Sequence, residues 1–271
     1  MTYFFSFIIP TLNEEKFLPR LLSDLKNQKE KNFEVIIVDG LSDDKTKEIA
    51  KKYWQIPINF FETEKRNVSF QRNLGAKKAK GEYLIFLDAD SRVYKNFTQN
   101  LKKIINKKKG LVFLPSLVPE KKEPQIDLIF KLINFFVEIS QSFPKPFSAG
   151  GSIIIDKNFF EKIGGFDEDT YLAEDHNLIY KATLWGVKAK FLSKIKVKFS
   201  LRRLKKEGEL KLFYKYLYAS IYFLTKGKID KKIFPYPMGG QVYENIKDVS
   251  FSSNLKKYLR KIRLFFIKYL S

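Results

Sequence analysis

Short apolar runs alternate with helical patterns through the first third of this chain, and this alternation restricts the possible folds. Four runs are predicted strands: Phe4–Ile9, Phe33–Val38, residues 57–61 and residues 83–87. The helices predicted between them are Glu15–Lys26, a helix to about Lys52 that Ser42 or Asp43 would cap, and roughly Ser69–Lys80. Strands separated by helices need right-handed crossovers, so the pattern predicts an α/β fold with a parallel sheet.

Two carboxylates follow the last of these strands. Tyr83–Leu87 is apolar and runs directly into Asp88 and Asp90. Asp is a poor strand former and is rarely buried without a partner, so the pair is expected at the strand tip, and alternate strand residues share a face. Open α/β sheets bind ligands beyond the carboxyl ends of their strands. The pattern therefore predicts a metal or phosphate site, with an incidentally acidic loop as the alternative.

Cysteine and histidine usage limits the chemistry that this chain can perform. It has no cysteine and one histidine, His176. The lack of cysteine excludes disulfides, thiolate nucleophiles and Cys-based zinc sites, and fits a reducing compartment. One histidine excludes a multi-histidine metal site. Catalysis would then depend on carboxylates, on a hard metal ion, or on both.

Positive charge is concentrated at the end of the chain. The net charge is +21, and residues 201–271 carry 17 Lys and Arg against 5 Asp and Glu, which predicts a polyanionic partner such as an anionic membrane or nucleic acid. Residues 254–270 place seven apolar side chains on one helical stripe: Leu255, Tyr258, Leu259, Ile262, Phe265, Phe266 and Tyr269. This helix either packs on its own domain or lies on anionic lipid. We expect neither a signal peptide nor a membrane-spanning helix.

Five stretches carry the candidate chemistry: IIPTLNEE (8–15), VIIVDGLSDDKT (35–46), QRNLGAKKAKGEYLIFLDAD (71–90), AGGSIIIDKNFFEKIGGFDEDTYLAEDHNL (149–178) and SLRRLKKEG (200–208). Together and in this order, over roughly residues 4–205, they resemble the inverting family 2 glycosyltransferases of the GT-A fold. The last stretch and the compact length resemble a subgroup of small bacterial and archaeal members. The resemblance implies a GT-A nucleotide-sugar-binding domain over 1–205, with a mostly parallel central sheet flanked by helices. Residues 206–271 would form a basic, aromatic helical extension.

The resemblance also implies a donor site at the strand ends. Pro10, Thr11 and Glu14 would line the base and ribose, and Asp39 would accept a hydrogen bond from the base. Uracil N3–H suits such a carboxylate, so a UDP-sugar donor is favoured. Arg72 would brace Asp39 or the phosphates, unless it is a surface arginine.

The Asp88-Ala89-Asp90 segment implies a divalent metal, Mn²⁺ or Mg²⁺. In the resembling family the last Asp of this motif binds the metal, and the first contacts the donor ribose or sugar. The diphosphate leaving group must be neutralised as the glycosidic bond breaks, and a metal with few protein ligands does this.

The acceptor side is implied by the later stretches. Asp175 matches the general base of the family, which takes the acceptor hydroxyl proton, although the commoner role of such an Asp is a helix cap. His176 is predicted to be a wall residue of the site. Five further residues are expected around the acceptor or a phosphate: Gly150, Gly151, Glu174, Arg202 and Arg203. A turn at the glycines and a solvated basic turn at the arginines are the alternatives.

Three other functions fit the sequence less well. A phosphatase with an Asp-x-Asp motif needs Thr or Val two positions after the second Asp, where this chain has Arg92. A sugar-nucleotide pyrophosphorylase needs a Gly-rich loop after the first strand, and PTLNEE is not one. A non-catalytic membrane- or nucleic-acid-binding module explains only the charge. We therefore expect a metal-dependent inverting enzyme that uses a glycan or lipid-linked acceptor and no nucleic acid, in the cytoplasm at the inner face of the cell membrane.

Overall fold

The computed structural model of the chain describes residues 3–53, 55–121, 123–148, 150–203, 209–234 and 239–240. The helix predicted over 254–270 lies outside these residues, and so does the predicted domain boundary between 205 and 206. The charge and stripe of that segment therefore remain sequence-based predictions.

Strands and helices alternate as far as β4 and mix more irregularly afterwards. The strands are β1 (Tyr3–Thr11), β2 (Phe33–Asp39), β3 (Ile58–Glu62), β4 (Gly81–Phe86), β5 (Arg92–Val93), β6 (Val112–Pro119), β7 (Ile153–Asp156) and β8 (Lys190–Phe199). The helices are α1 (Leu18–Lys26), α2 (Thr46–Lys51), α3 (Val68–Lys78), α4 (Phe97–Lys108), α5 (Pro124–Ser140), α6 (Lys157–Lys162), α7 (Glu174–Leu184) and α8 (Glu209–Lys226).

The strands form one sheet in the order β3-β2-β1-β4-β7-β6-β8-β5. The four strands predicted from the alternation pair with one another in parallel. Beyond β4, the strand β7 is antiparallel to both β4 and β6, β8 is parallel to β6, and β5 is antiparallel to β8. The α/β prediction is confirmed, and the second half of the sheet is mixed.

Apolar layers cover both faces of the sheet. Phe7 and Ile9 of β1 pack on one face with the leucines of α1 and α4, while Ile8 packs on the other face against α3 and α7. This division follows from the alternation of strand side chains. Gly75 allows α3 to approach closely, because a Cβ there would lie 2.6 Å from Ile8 Cγ2.

The start of α2 differs from the prediction. Helix α2 begins at Thr46 with Lys45 before it, so the predicted cap at Ser42 or Asp43 is wrong. The Ser42 hydroxyl instead hydrogen-bonds Asp39, since that buried carboxylate needs donors. Two further helices, α5 and α8, have sequences rich in aromatic residues. Among the described helices, none combines the length and the apolar character that crossing a membrane requires.

Candidate functional site

The carboxyl ends of β1, β2 and β4 meet at one edge of the sheet. Thr11 pairs with Asp39 in the parallel register, and Asp88 follows β4 on the other side of β1. Adjacent parallel strands place residues that are far apart in sequence side by side at this edge. The predicted donor and metal residues therefore come together as the alternation of strands and helices requires.

Asp39 holds the loop after β2 against the end of β1. Its Oδ1 accepts hydrogen bonds from Thr11 Oγ1 at 2.6 Å and Ser42 Oγ at 2.7 Å, and its Oδ2 accepts one from Ser42 N at 2.7 Å. Asp39 is almost fully buried. Of the two oxygens, Oδ2 accepts one of these three hydrogen bonds, and a carboxylate oxygen can accept more than one. The predicted contact with the donor base stays a prediction.

Gln71 is a structural contributor that the sequence analysis missed. Its Nε2 donates to Thr11 O at 2.9 Å and to Val38 O at 2.8 Å, and so joins the ends of β1 and β2. Pro10 pairs with Val38 in the same register and has no amide hydrogen to donate. Gln71 is the first residue of the QRN segment, which the sequence analysis included among the candidate stretches. Nothing in the sequence specifies which carbonyl oxygens its side-chain amide will reach.

Arg72 connects the strand-end acids to the acceptor side. Its Nη2 donates to Asp88 Oδ1 at 2.7 Å and its Nη1 to Glu174 Oε1 at 2.8 Å. The side chain is buried, and its guanidinium lies 5.2 Å from the Phe166 ring centroid. Burial alone lowers the pKa of Arg72, but the two carboxylates outweigh it and raise the pKa above its ordinary value. Arg72 is therefore not a surface arginine, and its carboxylate partner is Asp88 rather than the predicted Asp39.

Arg202 joins two other acids of the site. Its Nη1 and Nη2 donate to the two oxygens of Glu14 at 2.7 and 2.9 Å, and its Nε lies 2.7 Å from Asp90 Oδ2. Burial raises the pKa of Glu14 to about 7, and Arg202 offsets only part of this. Burial also raises the pKa of Asp90, against the opposing effects of Arg202, Ser200 and Arg203. The SLRR segment is thus part of the site, not a solvated turn.

The donor set at Asp88 and Asp90 fits a hard divalent cation. Both residues lie just beyond β4, which ends at Phe86, so strand alternation does not orient them, and Ala89 between them is buried. The described residues contain no cluster of three or more potential ligands. These two carboxylates would hold Mn²⁺ or Mg²⁺ together with oxygens from a substrate phosphate and water, as such ions accept.

Asp175 lies in the first turn of α7 and is buried. Its Oδ2 accepts a long hydrogen bond of 3.4 Å from Gly151 N, and its Oδ1 accepts one of 2.9 Å from His176 N. The His176 Nδ1 is 3.0 Å from Oδ1, but it lies outside hydrogen-bond geometry, so we treat this as an electrostatic contact. Burial raises the pKa of Asp175, yet His176 and Arg72 outweigh it and lower the pKa to about 2. The carboxylate is therefore ionised at neutral pH, as a base must be.

The glycine pair permits the close packing around Arg72. Gly151 has a φ of +64°, and a Cβ there would lie 2.5 Å from Arg72 Nη2 and 3.4 Å from the Asp88 oxygens. Gly150 has a φ of +65°. Ala173, which precedes α7, has a φ of +62°, a conformation that costs energy for a non-glycine residue and recurs at functional sites. The turn alternative is correct for the glycines, and the turn itself shapes the site.

His176 lies between two aromatic rings. The Phe147 centroid is 5.9 Å from the imidazole and the Phe223 centroid is 5.5 Å from it. Phe223 belongs to α8, so the helix after the SLRR segment packs beside the candidate base. This position agrees with the prediction that His176 forms a wall of the site.

Comparison with known proteins identifies the family. The model of glycosyl transferase family 2 matches residues 6–164, more than half of the chain. Staphylococcus aureus strain Mu50 poly(ribitol-phosphate) beta-N-acetylglucosaminyltransferase TarS is 36% identical over 96 residues, which cover 34% of this chain and 17% of TarS. A Methanococcus voltae relative is 38% identical over 103 residues, covering 36% of this chain and 32% of the relative. Its name is dolichyl N-acetyl-alpha-D-glucosaminyl phosphate 3-beta-D-2,3-diacetamido-2,3-dideoxy-beta-D-glucuronosyltransferase.

Solved structures show the same architecture. S. aureus TarS with UDP-GlcNAc has a TM-score of 0.61 and 25% identity, over 80% of this chain and 66% of that one. The Pyrobaculum calidifontis mannosyltransferase PcManGT with GDP-Man and Mn²⁺ has a TM-score of 0.67 and 20% identity, over 87% and 66% of the two chains. At that lower identity the likeness concerns the fold alone. The fold is that of the GT-A glycosyltransferases, and the chain belongs to glycosyl transferase family 2.

Proposed function

We propose that this chain transfers a sugar from a nucleoside diphosphate sugar to a hydroxyl or lipid-phosphate acceptor, with inversion at the anomeric carbon. The observation that carries the proposal is the bridge from Asp88 through Arg72 to Glu174. The bridge joins the candidate diphosphate site to the helix turn that bears Asp175. A donor and an acceptor bound on its two sides would therefore be adjacent.

The donor class is supported by the strand-end pocket and by the relatives. The TarS structure contains UDP-GlcNAc and the Pyrobaculum structure contains GDP-Man, so nucleoside diphosphate sugars are the donors to test. We favour a UDP-sugar because a carboxylate at Asp39 complements uracil N3–H. The contact would be made at Asp39 Oδ2, which accepts one hydrogen bond from Ser42 N, because Oδ1 already accepts hydrogen bonds from two hydroxyl groups.

Asp175 is the proposed general base. It would accept the proton of the acceptor hydroxyl while that oxygen attacks the anomeric carbon from the face opposite the leaving diphosphate. A single displacement from the opposite face inverts the configuration. The low pKa of Asp175 makes it a weak base beside His176 and Arg72, so proton transfer would occur late, as the attacking oxygen becomes acidic.

Asp90, with Asp88 beside it, is the proposed binding site for Mn²⁺ or Mg²⁺. When bound, the metal would neutralise charge on the departing diphosphate. Arg202 now neutralises Asp90 and Glu14, and it would turn toward the diphosphate or an acceptor phosphate as the donor binds. Arg203, which acts electrostatically on Asp90, is proposed to assist there.

The names of the relatives support a role in cell-envelope glycan synthesis. TarS is named for a poly(ribitol-phosphate) acceptor and the M. voltae relative for a dolichyl-linked one. The aligned segments span less than two thirds of either relative, so the acceptor remains a proposal. We place the reaction in the cytoplasm, at the inner face of the cell membrane, where a lipid-linked acceptor would be exposed to nucleotide sugars.

A donor screen tests the proposal. The full chain is incubated with UDP-GlcNAc, UDP-glucose or GDP-mannose, each with and without Mn²⁺ or Mg²⁺, and thermal unfolding and release of UDP or GDP are measured. A donor at about 100 times its Kd should stabilise the fold by about 2.7 kcal/mol. Stabilisation that requires both metal and one donor supports the proposal. No response to any of them contradicts it, and release of inorganic phosphate from an added phosphate monoester such as p-nitrophenyl phosphate, without release of UDP or GDP from any donor, would favour the phosphatase alternative.

A further inference from the structure

Helix α5 exposes an apolar surface that the proposed reaction does not use. Six large side chains, here called the α5 stripe, are each between 40% and 59% exposed: Leu128, Leu132, Phe135, Phe136, Ile139 and Phe143. At 3.6 residues per turn, the five that lie on the helix fall within an arc of about 100° and extend over about 17 Å, and Phe143 lies three residues beyond the end of α5. Apolar side chains scattered singly on a surface are ordinary, whereas a continuous row of this size is typical of a docking surface.

The opposite face of α5 is already packed against the domain. Ile126, Phe130 and Val137 are buried, and Asn134 makes two hydrogen bonds with the backbone of Leu117 in β6, at 2.9 and 2.7 Å. The helix therefore has its own anchor in the fold. The α5 stripe is additional apolar surface that contributes little to the core.

Basic residues accompany the α5 stripe, and one of them connects the segment after Phe143 to α8. Lys145 donates to Leu224 O at 3.0 Å, and the Leu224 side chain is exposed. Lys131 on α5 and Lys226 at the end of α8 are also exposed. Glu138 is exposed on the same helix, so local charge is mixed and the apolar side chains would supply most of the binding.

One end of the α5 stripe lies close to the candidate base. The chain turns after Phe143, and Phe147 stacks 5.9 Å from His176, the neighbour of Asp175. Ser140 at the end of α5 also contacts Phe147 O through its hydroxyl. A surface that covers the stripe would therefore reach the acceptor side of the site.

We propose that the α5 stripe binds an anionic lipid bilayer and inserts its side chains at the headgroup boundary. The apolar row leads to the acceptor side, the net charge of +21 favours an anionic surface, and exposed lysines accompany the row. Bound in this way, the domain would present Asp175 to an acceptor embedded in the same membrane. This last step rests on the proposed function, whereas bilayer binding does not.

The test measures binding of the full chain to vesicles. Vesicles of phosphatidylcholine and phosphatidylglycerol in equal parts are compared with pure phosphatidylcholine, at low and high salt. The variant Phe135→Ser/Phe136→Ser should bind the anionic vesicles about tenfold less tightly or worse, because two exposed aromatic side chains no longer insert. The matched control is Leu184→Ser/Trp185→Ser, which removes an equally exposed apolar pair on α7 and should bind as the wild type does.

A second measurement keeps the test decisive if the double variant does not fold. Phe136→Trp changes little in volume, and its fluorescence should be quenched by brominated lipid in anionic vesicles beyond the quenching seen in the wild type. Absence of any added quenching overturns the proposal.

Two alternatives to membrane binding by the α5 stripe would give different results. If the wild type is a dimer without lipid and the Ser variant is a monomer, the stripe binds a second copy and the proposal is wrong. If only Phe265→Ser/Phe266→Ser reduces vesicle binding, the tail is the membrane contact and the proposal is also wrong. Donor hydrolysis is measured on the same samples: its absence in the wild type contradicts the proposed function without affecting the binding result.

Discussion

Arg202 forms a two-armed hydrogen bond with Glu14 from 188 residues away, with N–O distances of 2.7 and 2.9 Å. The same guanidinium contacts Asp90 through Nε at 2.7 Å. The end of β8 is thereby tied to the loop after β1 and to the loop after β4. A residue from the last part of the family-like region thus completes a site whose acids come from the first part.

Asp90→Ala tests the metal site. Without this carboxylate we expect UDP affinity in the presence of Mn²⁺ to fall about tenfold or more, and transfer to be lost, because the diphosphate is no longer neutralised. Calorimetric titration with and without metal measures the effect. The control is Asp169→Ala, an exposed acid away from β4 that should change neither value. Equal UDP affinity with and without metal in the wild type would contradict the prediction.

Asp175→Asn tests the base. The amide keeps the shape of the side chain but accepts no proton, so donor binding should survive while transfer falls by about 10²–10⁴. Single-turnover transfer and equilibrium donor binding are measured on the same preparation. Transfer near the wild-type rate would place the base elsewhere.

Arg72→Met tests the bridge between the two halves of the site. It leaves Asp88 and Glu174 without their shared partner, and breaking a buried ion pair from one side typically costs about 3 kcal/mol or more. Urea unfolding should show this loss. Lys47→Met, which breaks the exposed pair with Glu62, should change stability little. Equal losses of unfolding free energy in the two variants would contradict the prediction that this bridge stabilises the fold more than an exposed ion pair does.

Gly151→Ala separates steric conflict from backbone strain. Its Cβ would lie 2.5 Å from Arg72 Nη2, in addition to the strain of a φ of +64°. Gly186→Ala is the matched control, because its φ is +75° and no atom lies within 4 Å of the added Cβ. We expect the control to lose about 1–2 kcal/mol and Gly151→Ala to lose about 1–3 kcal/mol more. Stability is measured by urea unfolding. Equal losses in the two variants would show that Arg72 moves to accommodate the methyl group at no further cost.

The pKa of Asp175 predicts a pH-dependent contribution to stability. The folded value of about 2 lies below the ordinary 3.8, so the unfolded state binds this proton more tightly. The contribution is complete above about pH 4 and is lost as the pH falls through 2. The free energy of unfolding of Asp175→Asn should therefore lie further below that of the wild type at pH 6 than at pH 3. A difference that does not change between these pH values would contradict the assigned pKa.

Local patterns were sufficient for the first half of the fold. Strand and helix periods are properties of neighbouring residues, so the alternation through β4 was readable from the sequence. Parallel pairing then required Asp39 and Asp88 to lie at one edge of the sheet. The antiparallel placement of β7 between β4 and β6 was not readable, because it depends on contacts between distant segments that leave no nearby signal.

The sequence by itself determined which residue types could form the site, and the tertiary structure decided how they are paired. With no cysteine and one histidine, the chemistry was expected to depend on carboxylates, on a hard metal ion, or on both. The sequence could not specify that Arg72 binds Asp88 rather than Asp39, or that Arg202 reaches Glu14. Burial decides the partners of both arginines. A guanidinium that is removed from water must be hydrogen-bonded, and its partners are the carboxylates that the packed elements bring within hydrogen-bond distance.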